Sequence, residues 1–277
     1  MDLGSYVADW QPGPVTSADE LPPGPAAALA AVFDQAPPGG ALPPLWHWLY
    51  FLDWPPQREL GDDGHPRDGH FLPPIPARRR MFAGGRLDVR RPLTPGTPAE
   101  RVSSLGEVAV KQGSTGEMLF VTVRHEISQD SSLCVVEEQD IVYRSGEDER
   151  RGGMLSSTVD EVPESDAELQ LAARPDSRLL FRFSALTANA HRIHYDEPYT
   201  RDVEGYPGLV VHGPLLVLLM LELVRDKEVR SLSYRLRRPV FAGEHLRALG
   251  DPAGGGVSLR IATAKEERNA TAEVRFA

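Results

Sequence analysis

Apolar and polar positions along the chain run through one grammar twice. From Arg86 the pattern alternates with period two over Arg86–Arg91, Ser103–Gln112, Leu119–Ser128 and Leu133–Arg144, which predicts four strands. A charged break at Ser145–Gly153 and an acidic, Ala-rich stretch at Glu161–Ser177 interrupt it. The second round predicts a strand near Leu179–Ser184, a polar loop to Pro207 and an apolar helix over 214–225. Strands at Ser231–Pro239, His245–Leu249, Val257–Lys265 and Thr271–Ala277 follow. The helix is apolar nearly all round, so it must be surrounded and not laid on a surface. Ahead of the first round lie a short helix at Gly24–Gln35, a dense aromatic segment at Pro43–Leu52 that suits a short buried helix, and a loop over Gln57–Pro76. Structureless loops of that length are uncommon inside compact domains and are more often functional than filler.

The two rounds also match in sequence. Arg90-Arg91-Pro92-Leu93-Thr94-Pro95-Gly96 aligns with Arg237-Arg238-Pro239-Val240-Phe241-Ala242-Gly243, and Val121–Glu126 resembles Ile261–Glu266. Matched element order and matched sequence together indicate a duplication. Long antiparallel strands around a buried apolar helix make a hotdog, and two copies in one chain make a double hotdog of the α+β class. The expected division is an arm over 1–40, an N-terminal half over 41–150, a linker over 151–178 and a C-terminal half over 179–277.

Composition narrows the function classes. The 277 residues carry a formal net charge of −10, the wrong sign for a protein that gains affinity by neutralising phosphates, so no nucleic-acid partner is expected. One cysteine, Cys134, excludes an internal disulfide and a cysteine-based zinc site. Met1–Leu21 lacks the apolar run of a signal peptide, and Leu215–Leu221 is far short of a membrane span. The expectation is a cytoplasmic protein with no membrane partner.

Candidate chemistry clusters where the second half's first polar loop meets its buried helix. His191 and His194 are three apart, but no third ligand stands at motif spacing and no HExxH occurs, so no metal is expected. Ser184 lacks the Gly-x-Ser-x-Gly elbow of a nucleophilic serine. Gly213 precedes Pro214 at the helix start, where free backbone donors and the helix dipole favour a negative oxygen. A glycine there lets a thioester carbonyl approach closely, and a plain glycine cap is the alternative.

These residues carry a resemblance. Asn189-x4-His194 followed by His212-Gly213 resembles the MaoC-like (R)-specific enoyl-CoA hydratases. The longer runs Phe183–Asp196 and Glu204–Leu215 are similar to the itaconyl-CoA and mesaconyl-C4-CoA hydratases and to the mitochondrial hydroxyacyl-thioester dehydratases. So are His47–Phe51, Gly69–Pro74, Arg79–Arg86 and Gln139–Arg144, and the likeness runs from about residue 43 to the C-terminus. It implies a lyase that hydrates an α,β-unsaturated acyl-CoA, with Asn189 and His194 catalytic. Gly213, His212, Arg192, Tyr195, Arg79 and Arg80 would bind substrate, CoA being part of the substrate and no cofactor being needed. A homodimer is expected. Two positions depart from the pattern: the broader family's Asp is Asn189, and Ala188 stands where close relatives carry a bulky aromatic. Other readings are a 3-hydroxyacyl-thioester dehydratase of fatty-acid or polyketide type, a thioesterase using Glu204 or Asp202, and a non-catalytic acyl-thioester-binding protein. The N-terminal half has no Asn-x4-His, so one site per chain is expected.

Overall fold

A computed structural model describes residues 2–76, 78–113, 116–144 and 155–277. Its strands are β1 (Val15–Asp19), β2 (Arg79–Val89), β3 (Ala99–Gly113), β4 (Gly116–Gln129) and β5 (Ser132–Arg144), then β6 (Leu169–Ala173), β7 (Val229–Leu236), β8 (Leu246–Ala253), β9 (Gly256–Ala262) and β10 (Ala270–Phe276). They form one antiparallel sheet in the order β1-β3-β4-β5-β2-β7-β10-β9-β8-β6. Outward from the central pair, β2-β5-β4-β3-β1 is mirrored by β7-β10-β9-β8-β6. The two halves therefore share one sheet, joined where Gly84 pairs Arg235 and Asp88 pairs Ser231. At this seam a Cβ on Gly85 would lie 2.5 Å from both the Glu138 carbonyl oxygen and the Tyr234 hydroxyl, so only glycine fits.

The sequence repeat is a structural repeat. The amide groups of Arg90 and Arg91 both donate to Cys134 O, at 2.8 and 3.1 Å, and those of Arg237 and Arg238 donate to Asn269 O at the same distances. Gly96 (φ +77°) donates to Leu21 O and Gly243 (φ +87°) to Pro175 O, each at 2.7 Å. Two halves of one ancestral hotdog would show this correspondence.

Helices α1 (Leu3–Val7), α2 (Pro23–Val32), α3 (Ser177–Leu186), α4 (Glu197–Asp202) and α5 (Gly213–Leu221) complete the fold. Every residue from Leu215 to Leu221 in α5 is buried, against β8, β9 and β10. Full burial of a leucine stabilises by about 1.5–3 kcal/mol, so this helix anchors the C-terminal core. The expected helix over 214–225 ends at Leu221 and continues as a 3₁₀ turn, Glu222–Val224. Among the described residues no helix is long and apolar enough to cross a membrane.

Three local expectations change. Leu179–Ser184 lies in α3 and not in a strand: Asp176 Oδ1 accepts from Leu179 N at 2.9 Å, an N-cap. Leu180, Phe183 and Ser184 are buried at helical spacing while Phe181 stays exposed. The segment expected as a linker contains β6, paired with β8, while Ser145–Gly153 falls outside the described residues. The segment expected as an arm contributes the opposite edge strand, β1, paired with β3.

The halves differ most where the site is expected. Leu42 N donates to Leu93 O and Val211 N to Val240 O, each at 2.8 Å, marking equivalent points of the two copies. After Leu42 the chain makes only a 3₁₀ turn, Trp46–Leu49, where the second copy makes α5. Before Leu42 it runs directly from α2 through residues 33–41, where the second copy inserts residues 187–210 between α3 and Val211.

Candidate active site

Ala188 turns left-handed (φ +50°) and ends α3, which throws the next residues across the start of α5. Asn189 Oδ1 accepts from His191 N at 3.0 Å, closing an Asx turn. That holds the amide oxygen to the loop and leaves the NH₂ group as a donor for a water or substrate. A 3₁₀ turn, Arg192–His194, then carries His194 inward, where it keeps only 7% exposure.

His194 Nδ1 lies 2.7 Å from Val210 O. A carbonyl oxygen can only accept, so Nδ1 carries the proton and Nε2 presents a lone pair. Nε2 has no hydrogen-bond partner among the described residues. Burial pushes His194 down to about 3, against the help of the Val210 hydrogen bond, so the ring is neutral near pH 7. Its ring stacks on that of His212, centroids 3.6 Å apart and 17° between planes.

His212 is fully buried and caps α5, one residue before Gly213. Its Nε2 lies 2.8 Å from Ser184 Oγ and its Nδ1 has no hydrogen-bond partner among the described residues. Burial, then the charge of His194, holds its pKa well below the ordinary value. Because Nδ1 meets no carboxylate, Ser184 and His212 do not make a Ser–His–acid triad. Gly213 opens the first turn of α5, and Pro214 beside it brings no N–H. A Cβ at 213 would meet Leu236 Cδ1 at 2.3 Å, the tip of a side chain on β7 that would have to shift.

The other expected residues separate. Arg192 donates to Asp196 Oδ2 at 2.7 Å and to Asp62 O at 2.9 Å, and lies 3.9 Å over the Tyr199 ring, so its guanidinium ties loops together. Tyr195 is exposed and donates to Ala190 O at 3.0 Å. Arg79 and Arg80 open β2, with no ion pair or side-chain hydrogen bond among the described residues, and Arg80 helps to depress His191. Glu204 accepts from Tyr199 OH at 3.2 Å, and Asp202 is exposed at the end of α4.

The structure adds residues that sequence reasoning missed. The loop from Gln57 closes on itself through Gly61 N to His65 O at 2.7 Å and Arg67 N to Glu59 O at 2.8 Å. Its tip is seated on the 188–194 loop, where Asp63 O accepts from Arg192 N at 2.8 Å. Gly64 (φ +91°) is so close that a Cβ would fall 1.9 Å from Ala190 O. His65 Nδ1 donates to Asp63 Oδ2 at 2.9 Å, and the His65 ring lies 4.0 Å from that of His191. His191 in turn stands edge-on to His194 at 5.5 Å. Burial pushes His191 to about 3, while Asp63, which burial would raise, is held at about 2 by its His65 hydrogen bond and charge. Four imidazoles, His65, His191, His194 and His212, thus form a column from the N-terminal half into the base of α5. Asp63, His65 and His191 also place one ligand atom each within 4.8 Å of the others.

Known proteins resemble this chain in sequence and in fold. The profile of the hydroxyacyl-thioester dehydratase type 2 family matches residues 45–242. Mesaconyl-C(4)-CoA hydratase of Chloroflexus aurantiacus is 47% identical over 243 residues, 84% of this chain and 85% of that protein. The mitochondrial hydroxyacyl-thioester dehydratase type 2 of Schizosaccharomyces pombe is 28% identical over 238 residues, 75% of this chain and 77% of that one. Among solved structures, HtdX of Mycobacterium tuberculosis superposes with a TM-score of 0.67 at 15% identity, over 95% of this chain and all of that one, a likeness of fold. A MaoC-like dehydratase of Phytophthora capsici gives 0.62 at 12% identity, over 99% of this chain and 98% of that one.

Proposed function

We propose, from the premise that this chain belongs to the hydroxyacyl-thioester dehydratase type 2 family, that it is a hydro-lyase for a short branched dicarboxylic acyl-CoA such as mesaconyl-C4-CoA or itaconyl-CoA. The observation that carries the reading is the Val210 carbonyl on His194 Nδ1, which leaves Nε2 as an unprotonated base in a nearly closed site. Nε2 takes a proton from water as its oxygen adds to the β-carbon. The double-bond electrons move to the thioester oxygen, giving an enolate that accepts from Gly213 N–H at the positive end of α5. The proton on His194 then passes to the α-carbon, so the elements of water are added and His194 is regenerated. Asn189 steers the water through its NH₂ group. Donors that meet a developing oxyanion are worth about 2.7–4 kcal/mol of barrier, and a positioned base about 10²–10⁴ in rate.

The 47% likeness to a mesaconyl-C(4)-CoA hydratase supports the dicarboxylic acyl group. The test is a panel of crotonyl-, mesaconyl-, itaconyl- and longer enoyl-CoA thioesters, followed by loss of the conjugated enoyl absorbance. Turnover highest on a four- or five-carbon dicarboxylic thioester, with no free thiol, is expected. A preference for long monocarboxylic chains would move the assignment to a fatty-acyl dehydratase, and thiol release would make it a thioesterase.

A further inference from the structure

His194 must hold a positive charge for part of the proposed hydration, yet its own loop gives it no anion. Position 189 is an amide, and an amide neither takes a proton near neutral pH nor offsets an imidazolium. Buried cations need a partner. The groups that face His194 are His191 on its own loop, His212 stacked from α5 and, one ring further, His65 from the N-terminal half. The carboxylate that touches this column is Asp63.

Asp63 is built in and not merely nearby. Both its oxygens are taken by His65, Oδ1 by the backbone N–H and Oδ2 by the ring Nδ1–H, each at 2.9 Å. Its carbonyl and that of Asp62 tie to Arg192, two residues from His194. Gly64 between Asp63 and His65 allows backbone-to-backbone contact that no other residue would permit. A loop that only covered the site would need neither the glycine nor the carboxylate.

We propose that Asp63 and His65, from the non-catalytic half, are positioning residues of the hydratase site: the pair holds His191 edge-on to His194 and sets the Asp63 carboxylate toward His191, one ring from the base. This rests on the hydration reading above. It also gives the N-terminal half a part in the reaction that its lack of an Asn-x4-His motif does not suggest.

The experiment compares kcat, KM and thermal melting of the full chain with Asp63→Asn, Asp63→Glu, His65→Gln and the Asp63→Asn/His65→Gln double variant, on mesaconyl-C4-CoA and crotonyl-CoA. Asp63→Asn keeps an oxygen for the His65 backbone N–H and removes the charge together with the acceptor for the ring Nδ1–H. We expect its kcat to fall about tenfold or more, the equivalent of about one pKa unit of lost charge stabilisation, with KM changed less than threefold and melting within a few degrees. Asp63→Glu should recover most of that loss, and the double variant should be no worse than either single one, as groups acting as a unit behave. Unchanged kcat in Asp63→Asn, or equal damage from Glu and Asn, would overturn the proposal. A fall in melting temperature that matches the fall in activity would assign the pair to folding alone and overturn it too. A wild-type chain that hydrates no enoyl-CoA would remove the hydration reading, and this inference with it; a wild type that hydrates while Asp63→Asn keeps full kcat removes only the inference.

Discussion

Each half of the molecule buries a histidine cluster, and the two are finished differently. In the N-terminal half, Glu137 on β5 is 1% exposed and its oxygens are fully used. Oε2 accepts from His47 Nε2–H at 2.7 Å, and Oε1 from Trp48 Nε1–H at 2.7 Å and Gln139 Nε2 at 3.0 Å. Burial would raise Glu137, but the charge and hydrogen bond of His47 hold it at about 2. In the C-terminal half, the His194–His212 stack contains no carboxylate, and both Nε2 of His194 and Nδ1 of His212 lack partners among the described residues. A buried carboxylate whose two oxygens are both used fixes architecture; a buried imidazole nitrogen left without a partner keeps something to react with. Both halves share the same sheet, and the insertion at 187–210 together with the full-length α5 sets apart the half proposed to carry the site.

The comparison breaks first at His194. His194→Gln should lower kcat on the preferred enoyl-CoA by about 10²–10⁴, with melting close to wild type, measured by enoyl absorbance and calorimetry. Near-wild-type turnover would remove His194 from the chemistry. Its counterpart is Glu137→Leu, which strands the His47 and Trp48 N–H groups. Breaking such a buried pair costs about 3–5 kcal/mol, so the expected result is a large drop in melting temperature. A Glu137→Leu chain that melts normally yet loses kcat would place the N-terminal cluster in the chemistry.

Acid reaches the buried histidines of both halves and the Glu137 carboxylate in different pH windows. Burial holds His125 at about 4 and His191 and His194 at about 3, below the ordinary 6.5. The unfolded chain therefore takes up protons that the folded chain refuses as pH falls through 6.5, so stability is full above that value and declines from there toward 3. Glu137 is depressed from 4.5 to about 2, so its contribution is present above 4.5 and is lost as pH falls toward 2. Melting temperature against pH should accordingly begin to drop below pH 6.5 in the wild type. His194→Gln should drop less steeply between 6.5 and 4.5, and Glu137→Leu should differ in slope from wild type only below 4.5.

Much of this was legible in the chain. Arg-Arg-Pro marks the same backbone junction in both copies because two adjacent amides must share one carbonyl there, a local requirement that survives in sequence. Leu215–Leu221 announces a helix with no solvent face. The strand read at Leu179–Ser184 failed because its alternation is short and the cap at Asp176 decides the conformation. Edge strands β1 and β6, five residues each, carry no two-sided burial to imprint a pattern. Asp63 and His65 were hidden for a different reason. Asp-Gly-His-Pro reads as turn chemistry, and the partner that gives it meaning, Ala190–Arg192, lies in the other half of the duplication. Contacts of such sequence separation leave no periodicity behind.

The finest test of the comparison is Ser184. Its hydroxyl joins α3 to the base of α5 through His212 Nε2, and the pair, like His194 Nδ1 on the Val210 carbonyl, resembles the closed bonding around Glu137. If it belongs to architecture, Ser184→Ala should cost about 1–3 kcal/mol, the penalty for leaving the buried His212 Nε2 unpaired, and lower melting by several degrees. His212 would keep its stack on His194, so kcat should stay within about threefold, since no acid partner completes a serine nucleophile. A hundredfold loss of kcat with normal melting would instead make the Ser184–His212 pair part of the reaction, and the unpaired Nδ1 of His212 would then have to be explained as chemistry rather than packing.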